Sequence, residues 1–214
     1  MAGTESYTQG TDLWDQVNFA DLSGGFDGGP GIDTVHFAAP RAAIDFHRTP
    51  TGAVIDSADG LALVNTERLV FSDGEVAIDI DGWGGMIYRL YALLDRTPQP
   101  EELSFWTHWM PGPAWSYTYS SLAATFLNSS DEARTAYGPF SATADADGLV
   151  RKLYESVLGR EAAADERHYW VDRYGDGTGS TAVILGITES AEAVAKSADL
   201  IAGGIWLGPL TLYG

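Results

Sequence analysis

No cysteine occurs in the 214 residues, which excludes disulfide cross-links, thiolate nucleophiles and zinc–thiolate centres. Basic residues are scarce: 12 Lys plus Arg stand against 30 Asp plus Glu, a formal net charge of -18. Such a surface repels phosphate backbones, so nucleic acid is not the expected partner. It suits cations and secreted or high-salt settings. No apolar run reaches the roughly 20 residues that a membrane-spanning helix needs, so no membrane span is expected. The start, Met1-Ala2-Gly3-Thr4-Glu5-Ser6, has neither a basic nor an apolar stretch, and a Sec-type signal peptide is not expected there. Export would then use an uncleaved signal or passage inside an assembled particle. No phosphate loop, dinucleotide fingerprint, Gly-x-Ser-x-Gly elbow or His-Glu-x-x-His motif occurs, and the four histidines, His36, His47, His108 and His168, are scattered.

What is present is enough apolar residue for a real core, 45% of the chain against 20% charged. Its texture changes near residue 81. Before that point short alternating runs are broken by Gly, Pro and Asp. Ile44-Asp45-Phe46-His47 alternates and Ala53-Val54-Ile55 is rich in strand-forming side chains. Glu67-Arg68-Leu69-Val70-Phe71, then Ser72-Asp73-Gly74, then Glu75-Val76-Ala77-Ile78-Asp79-Ile80 carries a hairpin signal. After residue 85 the period becomes helical. Met86, Ile87, Leu90, Tyr91 and Leu94 fall on one face, and Leu149, Val150, Leu153, Tyr154, Val157 and Leu158 do the same further on. Thr97-Pro98 predicts a helix start, and Ser129 with Glu132 has the spacing of a capping box.

The expected fold class is therefore α+β: a small acidic, Gly/Asp-rich β region over 1–82, then an all-helical bundle of two tandem repeats over 83–198. An apolar C-terminal tail over 199–214 follows, read either as an uncleaved secretion signal or as a strand that docks on a neighbouring subunit. The repeat rests on Tyr88-Arg89-Leu90-Tyr91-Ala92-Leu93-Leu94-Asp95-Arg96, which matches Arg151 through Arg160 with one gap. Aromatic pairs follow at Phe105-Trp106 and Tyr169-Trp170. Phe126 through Ala133 then echoes Ile187 through Ala193. The shared residues read as scaffold. Trp106 and Trp170 have the area to anchor helix packing. Arg96 and Arg160 are placed to bond the last carbonyls of a helix.

The pattern Leu-Tyr-x-x-x-Leu-Gly-Arg, then an aromatic-Trp pair, then Gly-[Ile/Phe]-x-x-Ser-x-Glu, resembles the bacterial family called domain of unknown function 4214. The second copy carries it best, in Leu153 to Glu192; the first lacks a residue near Asp95, where the family has glycine. The two copies span about 86–195. The resemblance implies a module found in secreted, surface-layer, adhesin-like and phage-related proteins, and it brings no catalytic residues.

Gly28-Gly29-Pro30-Gly31-Ile32-Asp33-Thr34-Val35-His36 fits the nonapeptide of RTX-type calcium-binding β-rolls, and Asp59 through Gly74 resembles a segment that follows such repeats in type I-secreted proteins. There the glycines turn carbonyls towards a cation, and carboxylates complete a shell of 6–8 oxygens. Only one full repeat is present, preceded by Gly24-Gly25-Phe26-Asp27. Two readings stay open: a glycine-rich turn without metal, or Ca2+ held by Asp27, Asp33 and nearby carbonyls.

The first copy holds an aromatic insertion, Trp109-Met110-Pro111-Gly112-Pro113-Ala114-Trp115-Ser116-Tyr117-Thr118-Tyr119. Rings on a proline-stiffened loop suit the faces of sugars or a partner's pocket, which makes Trp109, Trp115, Tyr117 and Tyr119 the candidate ligand-binding residues. The same rings could close the core instead. The expected function is a non-enzymatic structural or binding protein of a cell surface or virus particle, adhesin-like or a spike or fibre accessory. Its expected partners are a surface polysaccharide or other subunits of an oligomeric assembly. A calcium-stabilised type I-secreted protein is the alternative. A glycoside hydrolase using paired carboxylates is the remote one.

Overall fold

The computed structural model describes residues 7–57, 60–109, 118–137, 145–175 and 179–209. The chain divides into two units: residues 1–85, 99–113 and 201–214 in one, and 86–98 with 114–200 in the other. The α+β class is as expected, with two sheets followed by eight α-helices among the described residues.

In the first unit β1 (Tyr7–Gln9), β2 (Gln16–Asn18), β3 (Gly25–Asp27) and β4 (Thr34–His36) alternate between two sheets. Tyr7 pairs with Gly25 and Gln16 with Thr34, both in parallel, so one coil of two strands and two turns takes 18 residues. The hairpin β5 (Phe46–Thr49) and β6 (Gly52–Ile55) is then inserted. After it, β7 (Ala62–Val64) rejoins β3 and β8 (Arg68–Phe71) rejoins β4, again in parallel. β9 (Gly74–Ala77) turns back on β8 through Ser72-Asp73, the hairpin that the sequence signals.

Stacking coils in register places like on like. Val17, Val35 and Leu69 form one inward ladder, and Phe26 and Leu63 pair in another. Phe26, Val35, Leu63 and Leu69 are fully buried. Beside them Phe19, Phe37, Phe71 and Phe46 stack in sequence, at centroid separations of 4.8, 5.1 and 6.4 Å.

Within the segment read as an apolar tail, Ile205–Gly208 forms β10, antiparallel to β9 of its own chain rather than on a neighbouring subunit. Ile205 and Leu207 thereby bury their side chains. α2 (Pro100–Trp109) packs against β10 and falls in this unit, not with the other helices. The division therefore differs from a clean boundary near 83.

The second unit contains most of α1 (Trp83–Leu90), a 3-10 turn over Tyr91–Leu94, α3 (Tyr119–Ser129) and α4 (Asp131–Tyr137). It continues with α5 (Ala146–Leu153), a π turn over Tyr154–Leu158, α6 (Ala164–Arg173), α7 (Gly179–Thr188) and α8 (Ala191–Ile201). Met86, Ile87, Leu90 and Tyr91 are buried as their spacing predicts. Leu93 is buried in place of Leu94, because the 3-10 turn changes the period from 3.6 to 3.

Two helix starts lie elsewhere than their sequence signals. α2 opens at Pro100 rather than Pro98, with the Gln99 N–H donating to Glu102 Oε2 at 2.8 Å. α4 is capped by Ser130 rather than Ser129: Ser130 Oγ accepts the Ala133 N–H at 3.0 Å.

Candidate functional site

Parallel coiling stacks three turns on one side of the first unit: 10–15, 28–33 and 65–67. Each ends on an acid directly before a strand, Asp15, Asp33 and Glu67. The acids are linked through the backbone. The Asp15 N–H donates to Asp33 Oδ1 at 2.8 Å, and the Asp33 N–H donates to Glu67 Oε2, also at 2.8 Å. Asp33 is fully buried, and among the described residues its Oδ2 has no hydrogen-bond partner. Gly28 lies against it. A β-carbon there would stand 2.3 Å from the Asn65 carbonyl and 2.5 Å from Asp33 Oδ2, so only glycine lets the two turns approach.

Both inner acids hold their protons more tightly than free carboxyls. Burial raises the Asp33 carboxyl, helped by the neighbouring Asp15 and Asp27 carboxylates and opposed by the Asp15 N–H. Burial likewise pushes Glu67 up to about 7, with Asp79 and Asp33 adding to it and the Asp33 N–H opposing. A stack of this kind favours protons or a cation, the two ways of neutralising buried carboxylates.

Of the two predicted metal ligands, Asp33 lies inside this stack and Asp27 beside it, at the end of β3. Asp27 Oδ1 accepts from Asn65 Nδ2 at 2.8 Å and from the Gly29 N–H at 3.3 Å. Among the described residues no group of three or more His, Asp or Glu is gathered for a metal ion. Asp15 and Glu67, which complete the stack, are not evident from the nonapeptide alone. The signal for them is an acid followed two residues later by an inward apolar residue: Asp15 with Val17, Asp33 with Val35, Glu67 with Leu69.

A buried charge network lies elsewhere in the same unit. Arg68 bonds Asp79, whose second carboxylate oxygen accepts the Gly84 N–H at 2.9 Å. Arg68 Nε stands 3.6 Å from Glu75, and His108 Nε2 on α2 meets Glu75 at 3.1 Å. Glu75 raises the affinity of His108 for its proton.

The predicted aromatic binders divide differently. Tyr119 begins α3 and is exposed. Trp109 ends α2, but its side chain lies outside the described residues, as do Trp115 and Tyr117.

In the helical unit the bonds of Arg96 and Arg160 among the described residues do not run to the carbonyls of the helix just ended. They reach carboxylates instead. Arg96 forks onto Glu132 at 3.1–3.2 Å while lying over the Tyr91 ring. Arg160 forks onto Glu192 at 2.7 Å and onto Glu166 at 2.8 Å, over the Tyr154 ring. Glu166 is thereby lowered to about 2. The serine caps agree: Ser190 Oγ accepts from Ala193 N at 3.2 Å, as Ser130 does from Ala133. Trp106 is buried. Trp170 donates from Nε1 to the Tyr154 hydroxyl at 3.2 Å and lies against Gly186.

No curated protein and no solved structure matches the chain. Residues 123–197, which hold Arg160, Glu166, Trp170, Ser190 and Glu192, match the family described as Domain of unknown function (DUF4214).

Proposed function

We propose that this chain is a non-enzymatic structural and binding protein of a cell surface or virus particle, in which two copies of the helical module carry an aromatic segment, 109–119, that contacts glycans. The observation that carries the reading is the double use of one scaffold motif. Arg96 with Glu132 over Tyr91, and Arg160 with Glu192 over Tyr154, share side chains, geometry and serine caps, although one family match covers only 123–197. In both places the motif's polar residues are spent on holding helices together, as suits a module used for architecture. The segment between Trp106 and Ser130 is longer than that between Trp170 and Ser190, so the added aromatics come where the two differ. Aromatic rings are typical anchors for flat ligand faces.

The test is a glycan array probed with the wild-type chain and with Trp115→Ala. Loss of signal in the variant is expected, and equal signal from both would sink the glycan role of the segment.

A second reading, a calcium-stabilised type I-secreted protein, is favoured by the unpartnered Asp33 Oδ2 within a parallel coil of 18-residue period. Calcium at Asp33 would draw on carbonyls of the adjoining turns. Melting curves with added calcium and with chelator decide it: coincident curves reject the reading, and a calcium-dependent rise supports it.

A further inference from the structure

A cleft of about 330 Å³ opens beside the turn stack, lined among others by Arg48, Thr51, Asn65, Glu67, Asp81 and Trp83. That volume is at the lower end for small-ligand pockets. Its chemistry centres on Arg48 of β5. The side chain is only 12% exposed, yet among the described residues just its Nε makes a hydrogen bond, to the Ile78 carbonyl at 2.7 Å. Among the described residues the terminal nitrogens have no hydrogen-bond partner, and the nearest carboxylate, Asp81 Oδ2, stands 4.0 Å from Nη2. These forked donors open onto the cleft, where the acceptor oxygens of a ligand can replace water.

The carboxyls that share this lining decide which ligand that is. Glu67 has one oxygen held by the Asp33 N–H, Asp79 is engaged by Arg68 and Gly84, and Asp81 stands 70% exposed at the rim. An anion would meet these three carboxyls, and a cation would meet Arg48. A neutral polyol has hydroxyls that donate to the acids and accept from the guanidinium at once. Trp83 supplies an apolar surface for the C–H face of a ring.

We propose that this cleft binds a neutral sugar ring, with Arg48 and Asp81 gripping neighbouring hydroxyls and Trp83 beside the ring. The inference rests on the glycan-binding part of the function proposed above, and gives it a place separate from the aromatic segment.

Saturation-transfer NMR on the full chain tests it, using the methyl glycosides of glucose, mannose and galactose, with glucuronate for comparison. At least one methyl hexoside should receive saturation. The effect should fall about tenfold in Arg48→Met, which removes charge-assisted hydrogen bonds, fall also in Asp81→Ala, and persist in Trp115→Ala. Asp81 is an exposed rim residue, so its variant reads binding without threatening the fold. Transfer to no hexoside, transfer to glucuronate alone, or transfer untouched by Asp81→Ala would each overturn the site. A Trp115-dependent array signal alongside any of these leaves the wider glycan reading standing. A hexoside effect lost with Asp81 but not with Trp115 supports the cleft even if the array shows the segment inactive.

Discussion

Asp95 and Gly159 close their turns in the same left-handed conformation, with φ of 52° and 70°, although the turns before them are built differently. The chain tightens into a 3-10 turn over Tyr91–Leu94 before Asp95 and widens into a π turn over Tyr154–Leu158 before Gly159. A tighter winding absorbs the one residue that the first segment lacks. The arginine after each turn therefore still leaves at an angle that reaches a carboxylate, Glu132 in one case and Glu192 in the other.

The first prediction follows from that conformation. A side chain in the left-handed region costs on the order of 1 kcal/mol, so Asp95→Gly should raise stability by about 0.5–1 kcal/mol. Gly159→Ala should lower it by about 1 kcal/mol. The added methyl would meet only the end of Lys196, at 3.1 Å, so the cost lies in the backbone. Urea unfolding of both variants checks the opposite signs.

Stability should fall as pH rises through the neutral range. Glu67 binds its proton more tightly folded, at about 7, than unfolded, near 4.5, so the folded state carries more protons between those values. That contribution is full below about 4.5 and lost by about 7. His108 acts in the same direction: its folded affinity is raised by Glu75, so its contribution is present below the ordinary histidine value and lost above the raised one. Glu67→Gln keeps an acceptor for the Asp33 N–H and should flatten the profile, with a gain on the order of 2 kcal/mol at pH 8. A steeper profile in the variant, measured by denaturation at several pH values, would refute the assignment.

Gly186→Ala tests the packing of Trp170. Alanine is the better helix former by about 1 kcal/mol. Here, though, its methyl would stand 2.3 Å from the indole Cη2, against a ring already held by Tyr154. A net loss of about 1–3 kcal/mol is expected, and a stabilised variant would show that the indole is free to move.

Tyr137 joins segments far apart in sequence. Its hydroxyl donates to the Leu93 carbonyl at 2.7 Å and bonds Ser156 Oγ at 2.8 Å in a buried setting that raises its pKa. Tyr137→Phe leaves the ring in place and should cost about 1–2 kcal/mol by thermal denaturation.

Much of the architecture is local and therefore legible in the sequence. The change of period near residue 81 separates strands from helices, the Ser72-Asp73-Gly74 break between two alternating runs marks the β8–β9 hairpin, and the buried faces of α1 and α5 follow from spacing. The helix starts were less legible. Two prolines, 98 and 100, and two serines, 129 and 130, compete as signals, and the folded chain uses the second of each.

The nonapeptide around Asp33 and the Arg-aromatic motif of the helical module are determined by sequence alone, since each is a matter of neighbouring residues. Their partners are not. Glu132 lies 36 residues from Arg96, and Glu67 lies 34 from Asp33. Distances of that order are set by how coils stack and helices cross. The tertiary structure alone decided that Asp15, Asp33 and Glu67 form one stack, and that Arg48 faces a cleft with Asp81 and Trp83. Parallel coiling brings residues together by register, and register is a property of the folded sheet rather than of any short segment.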